Sequence, residues 1–94
     1  MQRLSVRYRG RVQGVGFRAT VADTARAFAV TGRVCNVQDG SVDLLAEGEE
    51  AELHRFQQEI LRRLSRNIVD HQERWSEVVE PSWPDFGIGR DLPR

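Results

Sequence analysis

The sequence has a single cysteine, Cys35, and no hydrophobic run that approaches the roughly 20 residues of a membrane-spanning helix. One cysteine excludes a disulfide within the chain, so packing alone has to hold the fold together. Met1 leads into an alternating pattern instead of the apolar stretch of a secretion signal. We therefore expect a cytoplasmic protein that does not bind a membrane, folded as one domain over residues 1–94.

The sequence also lacks a net charge, because 14 basic residues balance 14 acidic ones. A chain without net charge has no broad basic field of the kind that binds nucleic acid, so no nucleic-acid partner is expected. Lysine is absent, and all of the basic residues are arginine. The first 18 residues contain no acid and carry Arg3, Arg7, Arg9, Arg11 and Arg18, which makes this part of the chain locally cationic.

Periodic apolar residues divide the chain into short strands and helices. Alternation of apolar and polar residues indicates strands, and apolar residues three or four positions apart indicate helices. The Asp39-Gly40 pair is a strong signal for a hairpin turn. The predicted elements are a strand at 4–8, a helix at 18–29, strands at 34–37 and 41–46, a helix after Gly48, and strands at 68–79 and 86–88.

The order strand, helix, strand, strand, helix, strand is that of the ferredoxin-like βαββαβ sandwich. This α+β fold has a four-stranded antiparallel sheet with two helices on one face. The apolar residues Phe86 and Ile88 offer a short fifth strand. Because the fold hosts enzymes, RNA binders and metal carriers alike, the loops have to indicate the function.

A glycine-rich loop connects the first predicted strand to the first predicted helix. Its residues are Gln13, Gly14, Val15, Gly16, Phe17 and Arg18. Unpaired N–H groups and the positive dipole end at a helix N-terminus favour an anion, and the planar fork of Arg18 matches two phosphate oxygens. Neither the P-loop pattern nor the dinucleotide-binding spacing is present. The loop therefore predicts a phosphoryl-binding site, with a purely structural turn as the alternative.

Asn36 stands at the end of the second predicted strand, just before the hairpin turn. An asparagine in this place is often only a local turn residue, since its side chain bonds nearby backbone. In a right-handed strand–helix–strand unit, however, the first two strands run parallel. The end of the second strand then lies at the same sheet edge as the glycine-rich loop, so we expect Asn36 and Arg18 to lie close together.

The two motifs together resemble the acylphosphatase family in order and spacing. They are GRVQGVGFR at residues 10–18 and GRVCNVQDGSV at residues 32–42. The resemblance is strong through Glu47, moderate through the second helix and weak after Arg66, where a Phe-x-Ile pattern remains at Phe86. Arg33 stands where the family often has a large apolar residue, and Ala19-Thr20 replaces a more aromatic helix start. These departures bear on substrate preference and stability.

The resemblance implies an enzyme that hydrolyses small acyl phosphates without a metal or another cofactor. The loop amides from Gln13 to Arg18 and the Arg18 guanidinium would hold the phosphate, and Asn36 would orient the attacking water. The other candidate side chains have no partner at ligand or nucleophile spacing, so structural or surface roles are expected for Cys35, His54, His71, Trp75 and Trp83.

Two other functions share this order of elements. An RNA-recognition domain needs exposed aromatic residues on its central strands, and that pattern is missing from residues 41–47. A phosphate-binding or interaction module without turnover remains the alternative, of the kind that acylphosphatase-like domains form inside larger carbamoyl-transfer proteins. A monomer is expected, and pairing through an exposed edge strand is left open.

Overall fold

The computed structural model describes residues 1–90, and the end of the predicted domain, residues 91–94, lies outside them. The elements are β1 Gln2–Gly10, α1 Phe17–Ala25, β2 Val30–Asn36, β3 Val42–Gly48, α2 Glu50–Leu64, β4 Ile68–Glu77 and β5 Phe86–Ile88. This order confirms the predicted α+β, ferredoxin-like arrangement, and the short fifth strand is present. Neither helix in the described residues is long and apolar enough to cross a membrane.

The five strands form one sheet in the order β4-β1-β3-β2-β5. β3 is antiparallel to both β1 and β2, so β1 and β2 are parallel to each other, as predicted. β5 pairs parallel with β2, which makes the sheet mixed instead of wholly antiparallel. This pairing covers the outer edge of β2 and leaves β4 as the long edge strand.

The core lies between one face of the sheet and the two helices. Alternate residues of β1, namely Leu4, Val6 and Tyr8, are at most 2% exposed. The helices bury Phe17, Val21, Leu53, Phe56 and Ile60 against this face. The Tyr8 hydroxyl donates to Gln57 of α2, and burial raises the pKa of Tyr8 so that the hydroxyl stays protonated. α2 is thus joined to β1 by a buried polar contact as well as by apolar packing.

The first helix ends at Ala25, earlier than the predicted residue 29. Residues 26–28 each donate an N–H group to the carbonyl three residues back, which tightens the chain into turns. The turns bring Phe28 to Phe56, with ring centroids 5.8 Å apart. Aromatic packing therefore ends this helix before its alanine-rich pattern does.

β2 begins at Val30, four residues before the predicted start of the strand at 34. Residues 30–32 pair with residues 46–48 of β3, so the partner strand determines where β2 begins. Gly32, which the sequence indicates as a break after the helix, lies inside the strand. Its φ of 153° and the close approach of β3 explain why glycine occupies this position.

Glu47 is a carboxylate that is only 1% exposed, on the sheet face opposite the helices. It accepts hydrogen bonds from Arg3 Nε at 2.8 Å and from Ser82 N and Oγ, each at 2.7 Å. The Trp83 ring lies 5.7 Å from the Arg3 guanidinium. These contacts hold the connection between β4 and β5 against the sheet.

We expect Glu47→Gln to lower the free energy of unfolding by about 2 kcal/mol at neutral pH, because charge-assisted hydrogen bonds to a buried carboxylate are lost. Burial raises the pKa of Glu47, but the Ser82 donors and Arg3 outweigh it, so the folded-state pKa is lowered. The carboxylate therefore stabilises the fold above its unfolded pKa of about 4.3, and this stabilisation is lost as pH falls through the lower folded pKa.

Urea unfolding of wild type and Glu47→Gln between neutral and acid pH measures this difference. The difference in free energy of unfolding between the two proteins should become smaller as the solution is acidified. Glu59→Gln is the matched control, because Glu59 pairs with Arg62 on the exposed side of α2. A stability difference for Glu47→Gln that stays constant down to low pH would contradict the assignment.

Candidate active site

The loop between β1 and α1 turns its backbone through left-handed conformations at two glycines. Gly14 has φ 73° and Gly16 has φ 77°, values that side chains other than glycine rarely adopt. Gly16 is the N-cap of α1, and no side chain caps the helix there. The first turn of α1 contains no acidic residue. The uncapped N–H groups and the helix dipole can therefore bind an anion.

The predicted loop residues divide into exposed and buried members. Gly14, Val15 and Gly16 are exposed, and Phe17 is 1% exposed with its ring 5.2 Å from that of Tyr8. The buried ring of Phe17 anchors the start of α1, so this residue can offer a ligand only its backbone. Arg18 is half-buried in the first turn of α1, next to the uncapped N–H groups.

Asn36 is the last residue of β2 and lies opposite Val42 of β3. Because β1 and β2 are parallel, this end of β2 lies at the sheet edge from which the glycine-rich loop leaves. Its side-chain Oδ1 is buried and has no hydrogen-bond partner among residues 1–90. A buried acceptor without a partner costs free energy, because it has lost its hydrogen bonds to water. A water or ligand that binds Oδ1 would recover that free energy, which none of the described residues does.

Gln13 joins the two motifs directly. Its side-chain Nε2 donates to Val37 O and to Ser41 O, each at 2.8 Å. These carbonyls flank the hairpin turn, and Val37 follows Asn36 in the chain. The Gln13 side chain therefore sets the spacing between the loop and the strand end that carries Asn36. Because the side-chain amide is occupied, Gln13 can contribute only its backbone N–H group to the predicted anion site.

We expect Gln13→Glu to lower kcat on an acyl phosphate by about 10-fold or more at neutral pH. The ionised carboxylate has the same shape but donates no hydrogen bond, and it repels both carbonyl oxygens. Protonation near its pKa of about 4.3 restores one donor, so the ratio to wild type should recover as pH falls. Gln13→Ala is the control, and its deficit should not change with pH. An equal pH response of both variants would contradict this role.

The remaining candidate residues lie in structural contacts. Cys35 is buried in β2. His54 lies 3.6 Å from Glu50 and packs against Trp75 in a tilted arrangement, with ring centroids 4.5 Å apart. His71 Nε2 is 3.2 Å from the Glu73 carboxylate. Within residues 1–90, no group of three or more His, Cys, Asp or Glu side chains could hold a metal ion.

Arg33, which departs from the family pattern, has a structural partner that the sequence does not indicate. Its Nη1 donates to the carbonyls of Gly32 at 2.6 Å and Asp85 at 2.9 Å and lies 3.0 Å from the Asp85 carboxylate. These contacts fix the chain immediately before β5. Since 52 residues separate Arg33 from Asp85, no local signal could have identified the pair.

A recess of about 660 Å³ lies elsewhere, on the sheet face away from the helices. Arg7 and Asp43 line it and are bound to each other by two hydrogen bonds of 2.7 and 2.8 Å. Phosphate binding needs converging N–H groups and a cation more than it needs a deep cavity. The loop and the end of β2 are therefore the candidate site, and the recess is not.

Known proteins share both the sequence and the fold of this chain. The family model for acylphosphatase matches residues 4–88. The acylphosphatase of Thermotoga maritima is 45% identical over 88 residues, which cover 94% of this chain and 97% of that protein. The crystal structure of acylphosphatase from Bacillus subtilis superposes with a TM-score of 0.83 at 32% identity, covering 95% of this chain and 99% of that one.

A larger protein contains a similar unit. The structure of full-length HypF in its phosphate- and nucleotide-bound form matches with a TM-score of 0.77 at 31% identity, and it covers 97% of this chain but only 12% of its own. The Thermotoga and Bacillus proteins, by contrast, match over nearly their whole lengths. With the family model spanning most of the described residues, this chain belongs to the acylphosphatase family of hydrolases.

Proposed function

We propose that this chain hydrolyses small acyl phosphates to carboxylate and phosphate at the edge where β1 and β2 end. The N–H groups from Gln13 to Arg18 and the Arg18 guanidinium hold the phosphate, and Asn36 orients the attacking water. The observation that carries the proposal is the buried Oδ1 of Asn36, which has no partner among residues 1–90. It lies at the same edge of the sheet as the uncapped start of α1.

The chemistry needs few groups because an acyl phosphate carries its own good leaving group. Water attacks phosphorus, the bond from phosphorus to the acyl oxygen breaks, and the electron pair leaves on a carboxylate whose conjugate acid has a pKa of about 4. A strong general acid is therefore unnecessary. The proton of the attacking water passes to a phosphate oxygen of the substrate, so the reaction balances without an enzyme base.

The protein's contribution is electrostatic stabilisation and positioning. The Arg18 guanidinium, the loop N–H groups and the positive end of α1 stabilise the negative charge that develops on the phosphoryl oxygens. The side-chain Oδ1 of Asn36 accepts a hydrogen bond from the water and positions the water in line with the bond that breaks. All of these groups belong to one chain, so a monomer is sufficient for catalysis.

The same arrangement determines the partners that we propose. The substrate is a small molecule, because the proposed contacts are N–H groups and one guanidinium that hold only a phosphoryl group. Neither nucleic acid nor a membrane is needed, and the place of action is the cytoplasm. A phosphate-binding module without turnover is the second candidate. It is favoured by the match to HypF, where a similar unit makes up only 12% of a larger chain.

Phosphate release from benzoyl phosphate and acetyl phosphate in excess chelator tests the proposal, with p-nitrophenyl phosphate as an ester control. We expect fast hydrolysis of both anhydrides, slow hydrolysis of the ester and no effect of the chelator. Asn36→Ala should lower kcat by about 10²-fold while inhibition by inorganic phosphate changes little, because the water is lost but the phosphate contacts remain.

Asn67→Ala is the matched control for this variant. Asn67 lies after α2 and donates from Nδ2 to Arg11 O at 3.0 Å, so the same truncation removes an amide outside the proposed machinery. It should keep most of the activity. A folded wild type that binds phosphate but hydrolyses neither anhydride would leave the module as the better account.

A further inference from the structure

β4 is an exposed edge strand ten residues long. The opposite edge of the sheet is β5, which has only three residues. Most side chains of β4 are exposed, and Val69 reaches 81%. Exposed edges of this length are templates for a further strand unless their side chains prevent pairing. The charges along β4 therefore decide whether another strand can be added.

Alternate residues of β4 form their backbone hydrogen bonds with β1, and the others have backbone groups that are available to a further strand. Val78 N donates to Met1 O at 3.0 Å, and Gln2 lies opposite Glu77. In an antiparallel ladder such bonded pairs alternate, so the even-numbered residues of β4 direct their backbone groups towards β1. The backbone N–H and C=O groups of residues 71, 73 and 75 then point away from the sheet.

The sequence at the centre of β4 is self-complementary in charge. Residues 70–74 are Asp-His-Gln-Glu-Arg. If a second copy pairs antiparallel about Gln72, Asp70 lies opposite Arg74 of that copy and His71 lies opposite Glu73, each pairing occurring twice. Residues 71 and 73 are also those with outward backbone groups, so this pairing satisfies the ladder. His71 and Glu73 already contact each other within one chain, so Asp70 and Arg74 supply the new charge pairs.

Three nearby registers bring like charges together. Centring the pair on Asp70, Glu73 or Arg74 places that charged residue opposite itself, which is unfavourable on one sheet face. Centring on Gln72 avoids all three repulsions. Arg74, moreover, forms no side-chain hydrogen bond or ion pair with the other described residues, and Asp70 lies 3.9 Å from its one cation, Arg9, with 63% of its side chain exposed.

We infer that β4 is the surface through which two copies of this chain associate, antiparallel about Gln72, so that two five-stranded sheets join into one. The partner is a second copy because Asp70 of each copy is the charge complement of Arg74 of the other. Strand pairing alone buries less area than a stable dimer needs, so the association is weak and salt weakens it further. The dimer forms at high concentration, and at low concentration the chain is a monomer.

Sedimentation equilibrium at low salt, from about 10 µM to about 1 mM, tests this inference. The mass of the wild type should rise above the 10.8 kDa of one chain towards twice that value. Arg74→Asp places two carboxylates opposite each other and should raise the dissociation constant by about 10-fold or more. Asp70→Arg combined with Arg74→Asp exchanges the signs and should restore the wild-type value.

Arg26→Asp is the control, because it makes the same charge change at an exposed residue after α1, a helix that packs beside β2 and β5 and not beside β4. It should dimerise like the wild type. A wild type that keeps the mass of one chain at about 1 mM would overturn the inference. So would a dimer that Arg74→Asp leaves unchanged, or a double exchange that does not restore pairing. Circular dichroism verifies that every variant is folded.

Discussion

Replacing Arg18 with alanine is expected to lower kcat on benzoyl phosphate by about 10²-fold or more. Arg18 belongs to the first turn of α1, which has no side-chain cap. In the proposed mechanism its guanidinium meets the negative charge that increases on the phosphoryl oxygens during attack. Removing the guanidinium takes away the forked cation of the proposed site, and water cannot replace it at the same strength. Steady-state kinetics of the purified variant measure the effect.

Arg18→Lys separates charge from geometry. Lysine keeps the positive charge but has no planar fork, so it cannot donate to two phosphate oxygens at once. We expect this variant to remain far below the wild type. Arg11→Ala is the control, since Arg11 is an exposed arginine in the connection between β1 and α1. Near-normal activity of Arg18→Ala would contradict the proposed role, whereas near-normal activity of Arg18→Lys alone would show that charge suffices.

Gly32→Ala is expected to lower the free energy of unfolding by more than about 3 kcal/mol. An added Cβ would lie 1.9 Å from Leu45 O, and the clash is with backbone, which cannot rotate away. β2 and β3 would have to separate at the centre of the sheet. Because β2 carries Asn36 at its end, activity should be lost together with stability.

Gly40→Ala isolates the contribution of the backbone conformation. Gly40 has φ 95° in the hairpin turn, but nothing lies within 4 Å of an added Cβ. Its substitution should therefore cost only about 1–2 kcal/mol, the cost of a left-handed conformation. Thermal and urea unfolding of both variants give the comparison. Equal losses at Gly32 and Gly40 would mean that φ, and not the clash, determines the effect.

Local patterns singled out the glycine-rich loop of the candidate site, and the catalytic roles of its residues stay predictions. The glycine-rich loop was recognisable because Gly14 and Gly16 permit conformations that other residues resist, and Arg18 follows them at the helix start. Asn36 gained its meaning from topology, since parallel β1 and β2 end at one edge. The side-chain role of Gln13 was not predicted, because its acceptors lie 24 and 28 residues away in the chain.

Element boundaries were less predictable than element types. Residues 26–29 have a helical composition, but Phe28 packs on Phe56 and the helix ends at Ala25. Residues 30–32 include Gly32, which disfavours a strand, but they lie in β2 because β3 is available as a partner. In both places a contact with a distant residue outweighed local propensity, which differs by less than about 1 kcal/mol per residue.

By itself the sequence determined the order of the elements, the apolar face of each and the chemistry of the two motifs, because these depend on residues within a few positions of one another. Only the tertiary structure decided that β5 pairs with β2, that Glu47 and Arg33 hold the connection between β4 and β5, and that β4 is the long exposed edge. These features join residues far apart in the chain, and their pairing depends on how strands are ordered in space, which periodicity does not encode.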